Sequence, residues 1–196
     1  MTGQIPKLLD TLRTVFISRG CDVDRHLQPG LSREEIATKT SQLAFNLPEE
    51  LIDLYTWRNG QRSDAEYEAE ALRFRDNSFI SLERGLAEYD EVRQYYGSPD
   101  FGKAFGFDLE RSIPFASFEG AWYVLICGSH KLKSPHPHPV VSVFEGIDLS
   151  FHSFRSMLNT CIAWVGDPRW TKDSGLGLDP EIEHKIWKDY NPGIFE

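Results

Sequence analysis

Between Gly30 and Gly60 the chain reads GLSREEIATKTSQLAFNLPEELIDLYTWRNG, two helices written with signals at both ends. Ser32-Arg33-Glu34-Glu35 has capping-box spacing. The Ser32 hydroxyl can accept from the Glu35 amide while the Glu35 carboxylate reaches back. Leu31 and Ile36 flank the cap where a hydrophobic staple sits. Ile36, Thr40 and Leu43 then share a helical face. Pro48 suits the first position of a second helix, where its missing N–H costs nothing. Glu49 and Glu50 follow, in the turn where negative charge favours the helix dipole. Leu47, Leu51, Leu54, Tyr55 and Arg58 form one face, and Asn59-Gly60 reads as the stop, because glycine tolerates a left-handed conformation. Short one-faced helices of this kind need a core built elsewhere in the chain.

The rest of the chain supplies that core. Residues 4–19 read as an amphipathic helix carrying Ile5, Leu8, Leu9, Leu12, Val15 and Phe16, stopped by Gly20, with 21–30 as a connector. Gln61 to Asn77 is polar and reads as a loop or short helix. Ser81 can cap a helix continuing through Leu82, Leu86, Tyr89, Val92 and Tyr96. Ser98 to Glu110 has no period. Ser112–Phe118 and Ala121–Cys127 read as strands around a Glu119-Gly120 turn, and the near-continuous apolar AWYVLIC run implies burial on both faces. Val140–Phe144 is a third strand, ended by Glu145-Gly146. Ser150 or Ser153 caps a helix with Phe154, Met157, Leu158, Cys161, Ile162 and Val165 inward. Gly166-Asp167-Pro168 breaks it, and Asp179-Pro180 starts a last short helix. Helices, then a strand meander, then helices make an α+β fold.

At 196 residues, 40% of them apolar and 13% aromatic, the chain fits one domain with a sizeable core. No apolar run approaches the roughly 18–20 residues of a membrane span. The start, MTGQIPKLLDTLRTVF, lacks the charge-then-apolar pattern of a signal peptide. Cys21, Cys127 and Cys161 are odd in number and widely spaced, as in a reducing cytoplasm. The net charge of -9 argues against general nucleic-acid binding and is compatible with a basic protein partner.

No G-x-S-x-G, G-x-x-x-x-G-K-[ST], H-E-x-x-H or C-x-x-C occurs, so no catalytic residue, metal ligand or cofactor is assigned. His136 and His138 in HKLKSPHPHP lack a third ligand of matching spacing and read as an exposed loop. The binding candidates are acidic and aromatic. Asp64-Ala65-Glu66-Tyr67-Glu68-Ala69-Glu70 sets carboxylates around an aromatic anchor, the pattern a basic cleft could accept, or else a solvated loop. Trp57 falls off its helix's apolar face, either exposed as an anchor or packed. Glu119 and Trp122 flank the hairpin turn. Trp122 and Tyr123 point to opposite faces, so one could line a groove or both could be covered by helices.

These pieces in this order resemble the SUKH superfamily. The carriers are Glu34-Glu35-Ile36, the Leu47-Pro48 to Asn59-Gly60 helix, Phe79-Ile80-Ser81-Leu82-Glu83, Ile113-Pro114-Phe115-Ala116 with Gly120, Val140-Val141-Ser142-Val143, and Ser153 to Leu158. The resemblance covers about residues 30–165. It implies a single SUKH-like domain, a mostly antiparallel central sheet with helices packed on it, between an N-terminal helical extension (1–29) and a C-terminal extension with a short helix (166–196). It implies a non-catalytic, cytoplasmic protein-binding domain, most simply an immunity protein. Such a protein neutralises a cognate polymorphic toxin, often a nuclease, by blocking its active cleft. The candidates for that contact read from the residues themselves are Trp57, Glu66, Tyr67, Glu68, Glu70, Glu119 and Trp122. The alternative is a regulatory or scaffolding module akin to the fungal cell-wall synthesis regulators. Oligomeric state stays open.

Overall fold

A computed structural model describes residues 3–62, 70–96, 109–128, 134–172 and 177–194. In chain order the elements are α1 Gln4–Ser18, α2 Val23–His26, β1 Leu27–Pro29, α3 Arg33–Lys39, α4 Glu49–Trp57, β2 Arg58–Gln61, β3 Arg73–Phe74, β4 Asn77–Phe79, α5 Leu82–Tyr96, a 3-10 turn Leu109–Arg111, β5 Ser112–Phe118, β6 Ala121–Ile126, β7 Val140–Val143, β8 Ile147–Phe151, α6 Phe154–Gly166 and α7 Pro180–Tyr190. Strands β3 to β8 form one six-stranded antiparallel sheet in sequence order, and β1 pairs with β2 in a small second sheet. The fold is α+β, as the order of motifs requires.

Strand alternation divides the apolar residues of the sheet between two layers. Ile113, Phe115, Tyr123, Leu125, Val140 and Phe151 face a large core shared with Leu9 and Leu12 of α1, Leu51 and Leu54 of α4, and Met157 and Leu158 of α6. Trp122, Val124, Ile126, Val141, Val143 and Ile147 face a second core with Val92 of α5 and Leu109. Both faces are therefore covered, as the AWYVLI run predicts. The large core is centred on edge-to-face aromatics, with Phe115 and Phe154 at 5.3 Å and Phe74 at 5.8 Å from Phe115.

The capping box at Ser32 and Glu35 is present in both directions. A second box, Ser153 with Ser156, starts α6. Asp179 caps α7. The helix after Leu31 is shorter than its periodicity predicts. It stops at Lys39, with Thr40 already outside helical conformation at φ -96, ψ 3. The connector at 21–30 contains α2 and β1. β8 continues the chain past Glu145-Gly146 where the sequence reading stopped, and β3 and β4 are too short to show a period.

Asn59-Gly60 is not a helix stop. The helix ends at Trp57, Arg58 is already extended, and Asn59 and Gly60 lie in β2. Gly60 has φ +74, and a Cβ there would lie 2.2 Å from the Ser81 nitrogen. The glycine serves the close crossing of β2 over the start of α5. Buried Asn59 uses that crossing: its Oδ1 accepts from Leu82 N at 2.9 Å and its Nδ2 donates to Glu83 Oε2 at 2.9 Å. It caps a helix more than twenty residues ahead.

Candidate functional site

One end of the large sheet collects three hairpin turns. Phe74 pairs with Asn77, Ser78 with Ser117, Phe118 with Ala121, Trp122 with Val143, and Val143 with Ile147. The turns at Arg75-Asp76, Glu119-Gly120 and Phe144-Glu145-Gly146 therefore project from the same end. Arg75 (φ 58), Glu119 (φ 48) and Glu145 (φ 49) are the non-glycine residues with positive φ among the described residues. All three sit at these tips, at a cost of about 1 kcal/mol each. Phe144 stands beside Glu145 with 56% of its surface exposed.

Behind this end, a cleft of about 350 Å³ lies between β6–β8 and α7. Tyr123 and Phe151 come from the sheet, Trp164 from α6, and Glu183, His184 and Trp187 from α7, with Arg75 and Asp148 also lining it. Trp164 Nε1 donates to the Glu183 carbonyl at 2.9 Å, and Trp187 Nε1 donates to the Ser150 carbonyl at 2.7 Å. These bonds fix α7 against α6 and β8. His184 stacks on Trp187, with centroids at 5.8 Å and planes 13° apart.

Arg75 reaches from its strained turn to form a two-point pair with Glu183, Nε to Oε1 at 3.0 Å and Nη2 to Oε2 at 3.1 Å. The Glu183 side chain is only 7% exposed, that of Arg75 42%. Burial pushes the Glu183 and Asp76 carboxyls above the ordinary carboxylate range, and Arg75 works against that rise. Burial also raises the Tyr123 phenol, and it lifts the Cys161 thiol below to about 12. Both stay protonated at neutral pH. The cleft therefore presents rings, one ion pair and a carboxylate at Asp148.

The sequence candidates fall on different elements. Glu66, Tyr67 and Glu68 lie outside the described residues. Glu70 is described, and pairs with Lys172 at 2.9 Å. Trp57 is half-buried against the core, and its Nε1 donates to Asp10 of α1 at 2.8 Å. Glu119 is exposed at the sheet end. Trp122 is buried at 6% exposure, with its Nε1 donating to Glu88 of α5 at 2.8 Å, and Tyr123 is buried on the opposite face. Trp122 is covered by α5, whereas Tyr123, though buried, lines the cleft beside α7. His138 Nδ1 lies 3.0 Å from the Ile126 carbonyl, and the described residues contain no cluster of three or more metal-ligating side chains.

Sequence reasoning missed Arg75, Phe144, Asp148 and Glu183. A signal existed for Glu183, a carboxylate one turn before Trp187 on the inward face of its helix. Arg75 had none, because its role depends on a residue 108 positions away.

Among the described residues no helix is long and apolar enough to cross a membrane. Residues 30–160 match the model of the SMI1 / KNR4 family (SUKH-1), well over half of the chain. No curated protein matches the chain. The matched stretch holds α3 to α5, both sheets except β1, and the first half of α6, while α1 and α7 lie outside it.

Proposed function

We propose that this chain, which belongs to the SMI1 / KNR4 family (SUKH-1), is a non-catalytic immunity protein that docks on a cognate toxin domain and covers its active cleft. The observation that carries this reading is the sheet end. Three turns held in an unfavourable backbone conformation present an exposed phenylalanine and two glutamates on a fold whose family is one of protein-interaction modules. An exposed aromatic ringed by carboxylates serves as anchor and electrostatic guide for a basic surface. The acidic balance of -9 increases the encounter rate with such a partner.

The mechanism is stoichiometric. Phe144 enters an apolar recess of the toxin, and Glu119 and Glu145 pair with cations that would otherwise hold substrate phosphates. Glu66, Glu68 and Glu70 add encounter charge around Tyr67 as an aromatic anchor, and Trp57 adds a half-exposed edge. Three free cysteines, Cys21, Cys127 and Cys161, agree with a reducing cytoplasm.

The test is a salt series of association rates with a purified basic toxin domain encoded beside this chain. Charge reversal at Glu119 and Glu145, and separately at Glu66, Glu68 and Glu70, slows association most at low salt. Unchanged rates across the series remove that set of residues from the interface. Stable complexes with wall-synthesis or signalling enzymes, and none with the toxin, point instead to a scaffolding module.

A further inference from the structure

We propose that the cleft between the sheet and α7 is a receptor for an arginine or lysine side chain of the protein partner, a site that deepens the protein-binding reading and rests on it. The charge balance of the cleft is negative. Of the charged side chains that line it, Asp148 and Glu183 stand against Arg75, and His184 is the one further titratable group of α7 there. Arg75 is committed to Glu183 at two points, whereas the exposed Asp148 carboxylate makes no ion pair among the described residues. A cation entering the cleft finds that carboxylate.

The walls select the shape of the cation. Trp164 and Trp187 have spent their indole N–H groups on backbone carbonyls, so they offer ring surface and no donors. Tyr123 and Phe151 form the floor, at 5% and 1% exposure. Aromatic surface with a carboxylate at the mouth suits a long aliphatic stem ending in a charged head, through burial of the stem, cation–π attraction and an ion pair together. A space of about 350 Å³ takes one side chain, not a helix or strand. Tyr123, Ser142 and Asp148 share one cross-strand row next to the turn that carries Phe144 and Glu145, so one partner surface reaches cleft and tip together.

Tyr123, Asp148 and Phe151 lie in the matched stretch, whereas Trp164, Glu183, His184 and Trp187 lie beyond it.

The test uses Nα-acetyl-arginine amide, with the neutral Nα-acetyl-citrulline amide as control, titrated into the full chain while the indole resonances are followed by NMR. Saturable shifts at Trp164 and Trp187 with the arginine amide, absent at Trp57 and Trp122 and absent with citrulline, are expected. Asp148→Asn, an exposed change that leaves the Arg75–Glu183 pair in place, should weaken that binding about tenfold and slow capture of the toxin domain. No shift, or equal shifts with citrulline, overturns the receptor without touching the protein-binding reading, since no partner is present. Loss of amide binding in Asp148→Asn with unchanged affinity for the toxin domain also overturns it as a docking element.

Discussion

Arg75 and Glu183, 108 residues apart, close the fold: a guanidinium at the tip of the β3–β4 turn holds a buried carboxylate of α7 at two points, 3.0 and 3.1 Å. Arg75→Met should destabilise the protein by about 2–3 kcal/mol at pH 7, short of a fully buried pair because Arg75 is partly exposed. The sign with pH follows from burial. Glu183 already sits above the ordinary carboxylate range, and loss of Arg75 raises it further. Its protonated form is favoured in the folded state, so the penalty shrinks as pH falls and Glu183 takes up a proton. Urea melts at pH 7 and pH 4.5 check this. A penalty equal at both values, or larger at pH 4.5, contradicts it.

Asn59→Ala leaves Ser81 capping α5 through Arg84 N at 3.2 Å but deprives the buried Leu82 N–H of its acceptor. We expect a loss of about 1–2 kcal/mol. Burial tends to raise the Glu83 carboxyl, but hydrogen bonds from Lys39 and Asn59 outweigh it and hold the group at about 2, below its ordinary 4.5. The stabilisation from Glu83 is thus present above the ordinary carboxylate range and lost as pH falls toward 2. In Asn59→Ala that loss moves to higher pH, as a carboxyl-carbon NMR titration of Glu83 would show. An unshifted Glu83 would refute the assignment.

Phe144→Ala touches an exposed side chain and should change stability by less than about 0.5 kcal/mol. If Phe144 is the anchor, affinity for the partner falls at least about tenfold. Paired melting and calorimetric titrations separate the two effects.

Glu119→Asn relieves a strained turn, since asparagine tolerates left-handed φ better than glutamate. It should stabilise by about 0.5 kcal/mol and slow association at low salt. A gain in stability with no kinetic change would mean that Glu119 does not face the partner.

Trp122→Phe keeps the ring in the second core and removes one donor to Glu88, which retains Arg84 at 2.5 Å. The expected cost is about 1 kcal/mol with partner affinity unchanged. Weaker binding at unchanged stability would return Trp122 to the interface.

The helices were legible because their signals are local. Ser32 with Glu35 and Asp179 with Pro180 mark helix starts within four residues, and the two-faced burial of β6 follows from AWYVLI alone. The strands β3 and β4 were not legible, because two or three residues carry no period. Asn59 was misread because Asn-Gly is common punctuation, whereas its partners Leu82 and Glu83 arrive only through tertiary contact. At the sheet end, Glu119 and the Glu145-Gly146 turn were visible as turn chemistry. The cleft beside them was not, since it needs Arg75, Asp148 and Glu183 brought from three distant segments.

The most direct measurement is inhibition of the purified toxin domain by this protein, titrated against activity, for the wild type and for Phe144→Ala. A sharp equivalence point at one protein per toxin, displaced to higher concentration by Phe144→Ala at unchanged thermal stability, is the predicted result. Full toxin activity at saturating protein, or inhibition that Phe144→Ala and charge reversal at Glu119 and Glu145 leave untouched, would contradict the claim that this sheet end binds and neutralises a toxin.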